Sequence, residues 1–386
     1  MPVLYTTLLS RVIDSGLYSN VTSTTSIRNI INRAVTNVIS EIDTRGTKRK
    51  ASAIKIFDAV YDYTCPTDMK GRKIVDIQSE GNRLINTRLS LVDVSTFDRK
   101  KTIYNNMVAF ADRDFVRKLR TTIITRDESA VISEFASLTE GSGTWTAFGD
   151  AENIEVNNTR AVSGSTSLEF NIDASGGTTA GVSLTDGPAI DVSNYKSDGS
   201  LFCWVYIVDT TDITNYIARI GSDSSNYYSM TVTTTSEGLA FQNGWNLLRF
   251  DFNGKTTVGT PDDENCDYRA IYMTKDAGKV SETGYRFDEM TIHSGNYHNV
   301  IYYSKYAWKT NVGVYIENST ADTDIIIADT EEIGLFTSRG QYEVYKALKD
   351  YEQMKIAYQE YEFKKLNYKL NYPSEAVKME QYYYGI

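Results

Sequence analysis

Two spacings of hydrophobic positions divide this chain, and the change from one to the other marks its organisation. Tyr5, Leu8, Leu9, Val12 and Ile13 recur at the spacing of one helix face, and Gly16 suits the end of that helix. Ile27, Ile30, Ile31, Ala34, Val35, Val38, Ile39 and Ile42 make a longer stripe, with cap candidates from Ser23 to Ser26 and Gly46 past its end. Arg28, Asn32, Arg33, Asn37 and Glu41 form the polar side of that second helix.

From Phe135 to Asn299 the helical period disappears. Ser, Thr, Gly, Asp and Asn are broken there by short β-branched and aromatic runs such as Ser167 to Ile172, Gly199 to Val208, Tyr227 to Thr233, Trp245 to Phe252, Tyr268 to Met273 and Phe287 to His293. Gly176-Gly177, Gly187-Pro188, Asp198-Gly199 and Asn253-Gly254 punctuate them as turns. Repeated short strands at this spacing predict an all-β sandwich.

On either side of that stretch the pattern is mixed. Ala53 to Tyr63 and Lys73 to Gln78 read as strands about a turn at Cys65-Pro66-Thr67-Asp68, Met107 to Leu119 as a helix, and Thr121 to Thr125 as a short strand. After a strand at Ile301 to Tyr306, the closing element reads as one long helix from about Ser338 to Leu370, stopped by Pro373. The predicted fold class is α+β: a helical domain with a small β element, interrupted by an all-β jelly-roll sandwich. The boundaries fall at 1–126, 127–300 and 301–386. An insertion of this kind requires that the inserted domain's ends lie close together at a surface loop.

Composition narrows the function classes. The 386 residues carry a formal net charge of −10, which disfavours wholesale nucleic-acid binding. Two basic clusters, Arg45, Lys48, Arg49, Lys50 and Arg113, Arg117, Lys118, Arg120, remain as local contact candidates for DNA or an acidic partner. Cys65, Cys203 and Cys266 stand far apart without a C-x-x-C, which suits buried thiols rather than a disulfide framework or a zinc site. The first residues lack a basic leader and no apolar run approaches a membrane span, so a soluble protein made in a cytoplasm is expected.

The flanks resemble the head–tail adaptor (connector) proteins of tailed bacteriophages. The paired N-terminal helices, the phrase YDYTCPTDMKGRKIVDIQ at Tyr61 to Gln78, the run Asp324 to Asp329 and the closing helix ending Asn-Tyr-Pro-Ser-Glu carry this resemblance. It implies a virion structural protein: a homo-oligomeric ring, usually a dodecamer, docked below the portal protein. Tail or tail-tube proteins would be its other partners, and DNA would pass through the lumen without sequence readout. No membrane contact is implied. The middle stretch resembles jelly-roll modules of carbohydrate-binding and laminin-G-like families through AVSGSTSLEFNID, GSLFCWVYIVD, GWNLLRFDF and YRFDEMTIH. The alternative function is therefore a carbohydrate-binding adhesin or a fibre-anchoring protein of a virion or cell surface.

Candidate chemistry is sparse. Trp145, Tyr227 and Tyr228 are the candidates for stacking on sugar rings, whereas Trp204 and Trp245 read as core. Asp288 and Glu289, with Asp262 to Glu264, are oxygen-ligand candidates for a structural calcium of the kind such modules often hold, though no D-x-D-x-D-G loop is present. No other cofactor is indicated. Glu169, Asp251 and Glu289 fall on candidate strands without a pairing that would predict glycoside hydrolysis, and His293 and His298 match no catalytic motif, so no enzyme is predicted. Ten of the 28 tyrosines lie beyond Gln341: Tyr342, Tyr345, Tyr351, Tyr358, Tyr361, Tyr368, Tyr372, Tyr382, Tyr383 and Tyr384. Tyrosine is enriched at protein interfaces, so this segment is the predicted intersubunit contact.

Overall fold

Among the described residues the α-helices are α1 (Tyr5–Ile13), α2 (Thr24–Glu41), α3 (Val94–Lys100), α4 (Thr330–Leu348) and α5 (Tyr351–Asn371), and the periodic stripes of the N-terminal segment fall on α1 and α2. The structure, a computed structural model, describes residues 3–13, 24–50, 54–58, 60–79, 90–100, 107–113, 116–122 and 128–376. Strands make up most of the regular structure.

The stripes of α1 and α2 are buried against α4 and α5, with Trp308 fully enclosed at the centre of that core. Helices α1 and α4 approach closely where a side chain at Gly340 would lie 2.7 Å from Val12. Asp329 begins α4 with a capping box: its carboxylate accepts from the Glu332 N–H at 2.9 Å, and Glu332 accepts from the Asp329 N–H at 3.0 Å. The closing element is two helices rather than one. Lys349 turns left-handed at φ 59°, and Asp350 recaps α5 by accepting from the Gln353 N–H. Helix α5 can then lie back along α4.

Among the described residues three small sheets stand beside this bundle, two with longer strands and one of the short strands Val3–Leu4, Trp308–Lys309, Tyr315–Ile316 and Ile325–Ile326. Strand Asn296–Ser304 pairs with Lys48–Lys50, Ile54–Ile56 and Met69–Ser79. The Pro-Asp turn secures it: Asp68 accepts from the Tyr302 hydroxyl at 2.6 Å and the Ser304 hydroxyl at 2.8 Å, and pairs with Arg49 at 2.5 Å. The second sheet contains Met107–Arg113 and Val116–Thr121 as a hairpin, which corrects the helix expected at Met107 to Leu119. Val108, Phe110 and Leu119 face one core while Met107 and Ala109 face α3 through Phe97. A strand covered on both faces is apolar at nearly every position, and over this length that imitates a helical stripe.

The inserted domain is a sandwich of two antiparallel sheets. One contains Thr146–Gly149, Thr179–Leu184, Tyr268–Lys275, Ile213–Asp223, Asn226–Val232 and Thr256–Val258 in spatial order; its outer side is turned away from the scaffold and is termed the free face. The other runs Ala151–Asn157, Ser167–Ile172, Tyr285–His293, Ser200–Ile207 and Gly244–Asp251, with Ser129–Ser133 added beside Tyr285–His293. Their inner faces share one core that includes Phe170, Leu201, Cys203, Tyr216, Phe250 and Phe287.

The chain passes between scaffold and sandwich at a neck, where the Ser294 N–H donates to the Glu128 carbonyl at 2.8 Å and the Glu128 N–H to the Ser294 hydroxyl at 3.0 Å. Because Asn296–Ser304 belongs to the scaffold sheet, the downstream crossing is at Ser294, ahead of the position 300 read from the sequence. The two parts also touch beside the neck. Phe202 of the sandwich joins the scaffold core, its ring 5.1 Å from that of Phe57.

Candidate functional site

Side chains alternate along a strand, so each sandwich sheet presents one row to the core and one outward. On the free face the outward row is aromatic. The register aligns Phe148, Gly181, Tyr272 and Ile217 across four strands, and Tyr268, Gly221 and Tyr227 across three. Both glycines sit between two rings. A side chain at Gly181 would lie 2.5 Å from the Tyr272 Cβ, and one at Gly221 would lie 2.7 Å from the Tyr227 Cβ. Their absence lets Phe148 stack on Tyr272 at 4.3 Å and Tyr227 approach Tyr268 at 6.0 Å.

Arg219 occupies the middle of this surface. Its guanidinium lies 4.6 Å from the ring centre of Tyr227, 5.0 Å from Tyr272 and 5.5 Å from Phe148. Tyr268 and Tyr272 are seated deeply, and burial raises both phenol pKa values despite the cation beside them. Phe148, Arg219 and Tyr227 are half-buried and present the accessible surface, flanked by Ser183, Ser229 and Thr231. The result is a fixed apolar platform with a cation at its centre and hydroxyls around it.

Of the sugar-stacking candidates, Tyr227 lies on this platform. Tyr228 faces the opposite way, into the core, where its hydroxyl donates to Asp263 at 2.5 Å. Trp145 is buried against Phe135 at 5.0 Å and donates its indole N–H to Glu140 at 3.1 Å, so it has no ring face to offer. This burial corrects its expected role as a sugar-stacking residue. Trp204 and Trp245, read as core, are half-buried on the outward side of the scaffold-facing sheet, while Cys203 and Val205 take the inward positions. Phe148, Arg219, Tyr268 and Tyr272 were missed. The i, i+4 spacing of Tyr268 and Tyr272 within one strand already places both on one face, but Phe148 and Arg219 join them only through the strand order.

Asp288 is buried and accepts from the N–H groups of Val162 at 2.6 Å and Ser163 at 3.1 Å. Glu289 is the extra residue of a bulge, at φ 41°. Among the described residues no three His, Cys, Asp or Glu side chains gather as a metal site. Glu169 pairs with Arg286 at 2.6 Å and Asp251 with Arg249 at 2.7 Å. Within the first basic cluster Arg45 pairs with Asp329, Lys48 with Glu375 and Arg49 with Asp68. From the second, Arg120 pairs with Asp62 and Asp98, and Lys118 donates to the Glu237 carbonyl.

The C-terminal tyrosines separate into groups. Tyr361 and Tyr368 are buried within the subunit, donating to Glu41 at 2.9 Å and Glu332 at 2.6 Å. This corrects their expected place between subunits: the hydroxyls close the α2–α4–α5 packing. Tyr342, Tyr345 and Tyr372 are half-buried, Tyr351 and Tyr358 are exposed, and Tyr382, Tyr383 and Tyr384 lie outside the described residues. The side of α5 opposite Tyr361 carries exposed Ile356, Phe363, Leu366 and Leu370. Among the described residues no helix is long and apolar enough to cross a membrane.

No protein-family model and no curated protein sequence matches the chain. Among solved structures it is similar to a family 30 carbohydrate-binding module, with 12% identity and a TM-score of 0.30 over 43% of this chain and 98% of that one. It is also similar to the family 11 carbohydrate-binding module of a Clostridium thermocellum cellulosomal cellulase, with 10% identity and a TM-score of 0.28 over 43% and 94%. A xylan-binding domain from Paenibacillus barcinonensis matches at 14% identity and a TM-score of 0.22 over 42% and 94%.

Proposed function

We propose that the chain is a non-catalytic glycan-binding protein in which a helical scaffold carries a sandwich domain, as in an adhesin or a fibre-anchoring protein of a virion or cell surface. The observation that carries this reading is the platform of Phe148, Tyr227, Tyr268 and Tyr272 around Arg219 on the free face. The C–H faces of a sugar ring stack on aromatic rings, and its hydroxyls need donors and acceptors at the rim, which Arg219 and the flanking Ser and Thr residues supply. Binding would be measured on a glycan array and then by calorimetry with the best ligand. Tyr227→Ala is expected to weaken binding about tenfold or more, with an unchanged melting temperature. Undiminished affinity in this variant would sink the platform reading.

A second reading, the ring-forming connector that meets portal and tail and passes DNA, is favoured by the outer stripe of α5. Ile356, Phe363 and Leu370 repeat every seven residues with Leu366 between them, the seam spacing of helix–helix association. In this reading the chain assembles with copies of itself in a virion and the sandwich is accessory. Sedimentation and negative-stain imaging test it. A closed ring that Phe363→Ser together with Leu370→Ser dissociates supports it, and a monomer at all concentrations and salts removes it.

A further inference from the structure

Between the sandwich and the scaffold lies a cleft of about 720 Å³. Trp204 and Trp245 line it from the scaffold-facing sheet, and Tyr61 and Phe97, in edge contact at 6.0 Å, line it from the scaffold. Polar groups converge on the same space. Arg120 is held between Asp62 at 2.6 Å and Asp98 at 2.8 Å, and Glu237 and Gln242 reach in from the loop opposite.

The walls are fixed on both sides. Phe57 packs on Phe202 at 5.1 Å and under Arg249 at 4.5 Å, while Lys118 donates to the Glu237 carbonyl from across the cleft. The loop itself is tied down by the Ser236 N–H donating to the Leu247 carbonyl at 2.8 Å, and by Asn246 bonding both the N–H and the carbonyl of Gln242. A ligand therefore meets a preformed space and pays little ordering entropy.

We infer that this cleft is a second binding site, and that its ligand is a neutral oligosaccharide. Two indole faces and a tyrosine supply stacking surface, and the carboxylates, guanidinium and amide supply fixed partners for hydroxyls. Three carboxylates stand against the Arg120 guanidinium and the Lys118 ammonium beside Glu237, a small acidic excess that disfavours sulfated, phosphorylated or uronic-acid-containing glycans. The site shares no residue with the free face.

Tryptophan emission distinguishes the two sites. Trp145 and Trp308 are buried, and the free-face platform contains no tryptophan, so a ligand in the cleft acts on Trp204 and Trp245. The intact chain is titrated with cellohexaose, xylohexaose, maltohexaose and chitohexaose under selective tryptophan excitation. At least one hexaose is expected to shift the emission saturably. Trp245→Ala should weaken that response about tenfold or more, and Tyr227→Ala should leave it unchanged. Asp98→Ala, at a side chain 48% exposed, serves the same purpose if Trp245→Ala does not fold, and is likewise expected to weaken the response. The proposal is overturned if none of the hexaoses shifts the emission at millimolar concentration, or if the response persists in both cleft variants. Binding that Tyr227→Ala abolishes, with tryptophan emission unmoved throughout, belongs to the free face and also counts against the cleft.

Discussion

The two outward faces of the sandwich have similar side chains and different neighbours. The free face sets half-buried Phe148 and Tyr227 with an arginine over the deeply seated Tyr268 and Tyr272, and among the described residues no scaffold side chain joins that cluster. The scaffold-facing sheet also points aromatics outward, at Phe202, Trp204, Tyr206 and Trp245, but Phe202 is absorbed into the scaffold core and Trp204 and Trp245 are left at the edge of a cleft. Alternation along a strand decides which side chains leave the core. The point of insertion decides whether they are packed against a neighbour or left at a surface.

The sharpest way to break that comparison is to make one chemical change on both faces. Phe202→Ala removes a ring from a closed contact and is expected to cost about 3–5 kcal/mol of stability. Phe148→Ala, on a half-buried ring, is expected to cost about 1 kcal/mol or less, with its larger effect on ligand binding. Denaturant titration of both variants checks the ordering. Equal losses would mean that the free face is packed as tightly as the interface.

A smaller effect compares titration in the scaffold with that in the sandwich. Burial pushes Asp43 up, but the hydrogen bonds from Lys70, Ser374 and Lys73 outweigh it and hold Asp43 below its ordinary value of 3.8. Burial also raises Asp288, and there it prevails over the Val162 and Ser163 N–H groups. The signs are opposite. Asp43 contributes stability above its unfolded pKa, which is lost as pH falls through its lower folded value. Asp288 has the higher folded value, so its contribution falls as pH rises from the unfolded to the folded pKa and recovers on acidification. Carboxyl-carbon NMR titration should place the two midpoints on opposite sides of 3.8.

Legibility followed how each element is covered. Helices α1 and α2 bury one stripe each, so spacing alone disclosed them, and the sandwich strands announced themselves by alternation between turn residues. Strand Met107–Arg113 has apolar neighbours on both sides and lost its alternation. The break before α5 rests on Lys349 in a left-handed conformation that carries no glycine to signal it. For the candidate site, Tyr227 could be named because one member of a tyrosine pair must point outward. Its companions depend on six strands being ordered in space, and the exposure of Trp204 depends on how closely a separate domain approaches.

The neck has a mechanical consequence. Both covalent passes between sandwich and scaffold lie side by side at Glu128 and Ser294, so once the contacts at Phe202 and Lys118 part, a pull on the sandwich converges on that pair. Beyond Ser294 the load enters strand Asn296–Ser304, which is hydrogen-bonded along its length to three scaffold strands. Tension along that strand shears many hydrogen bonds together instead of opening them one at a time. The load thus reaches the sheet before it reaches α1, α2, α4 and α5, and a tether under drag would be resisted by the part of the scaffold built to slide least.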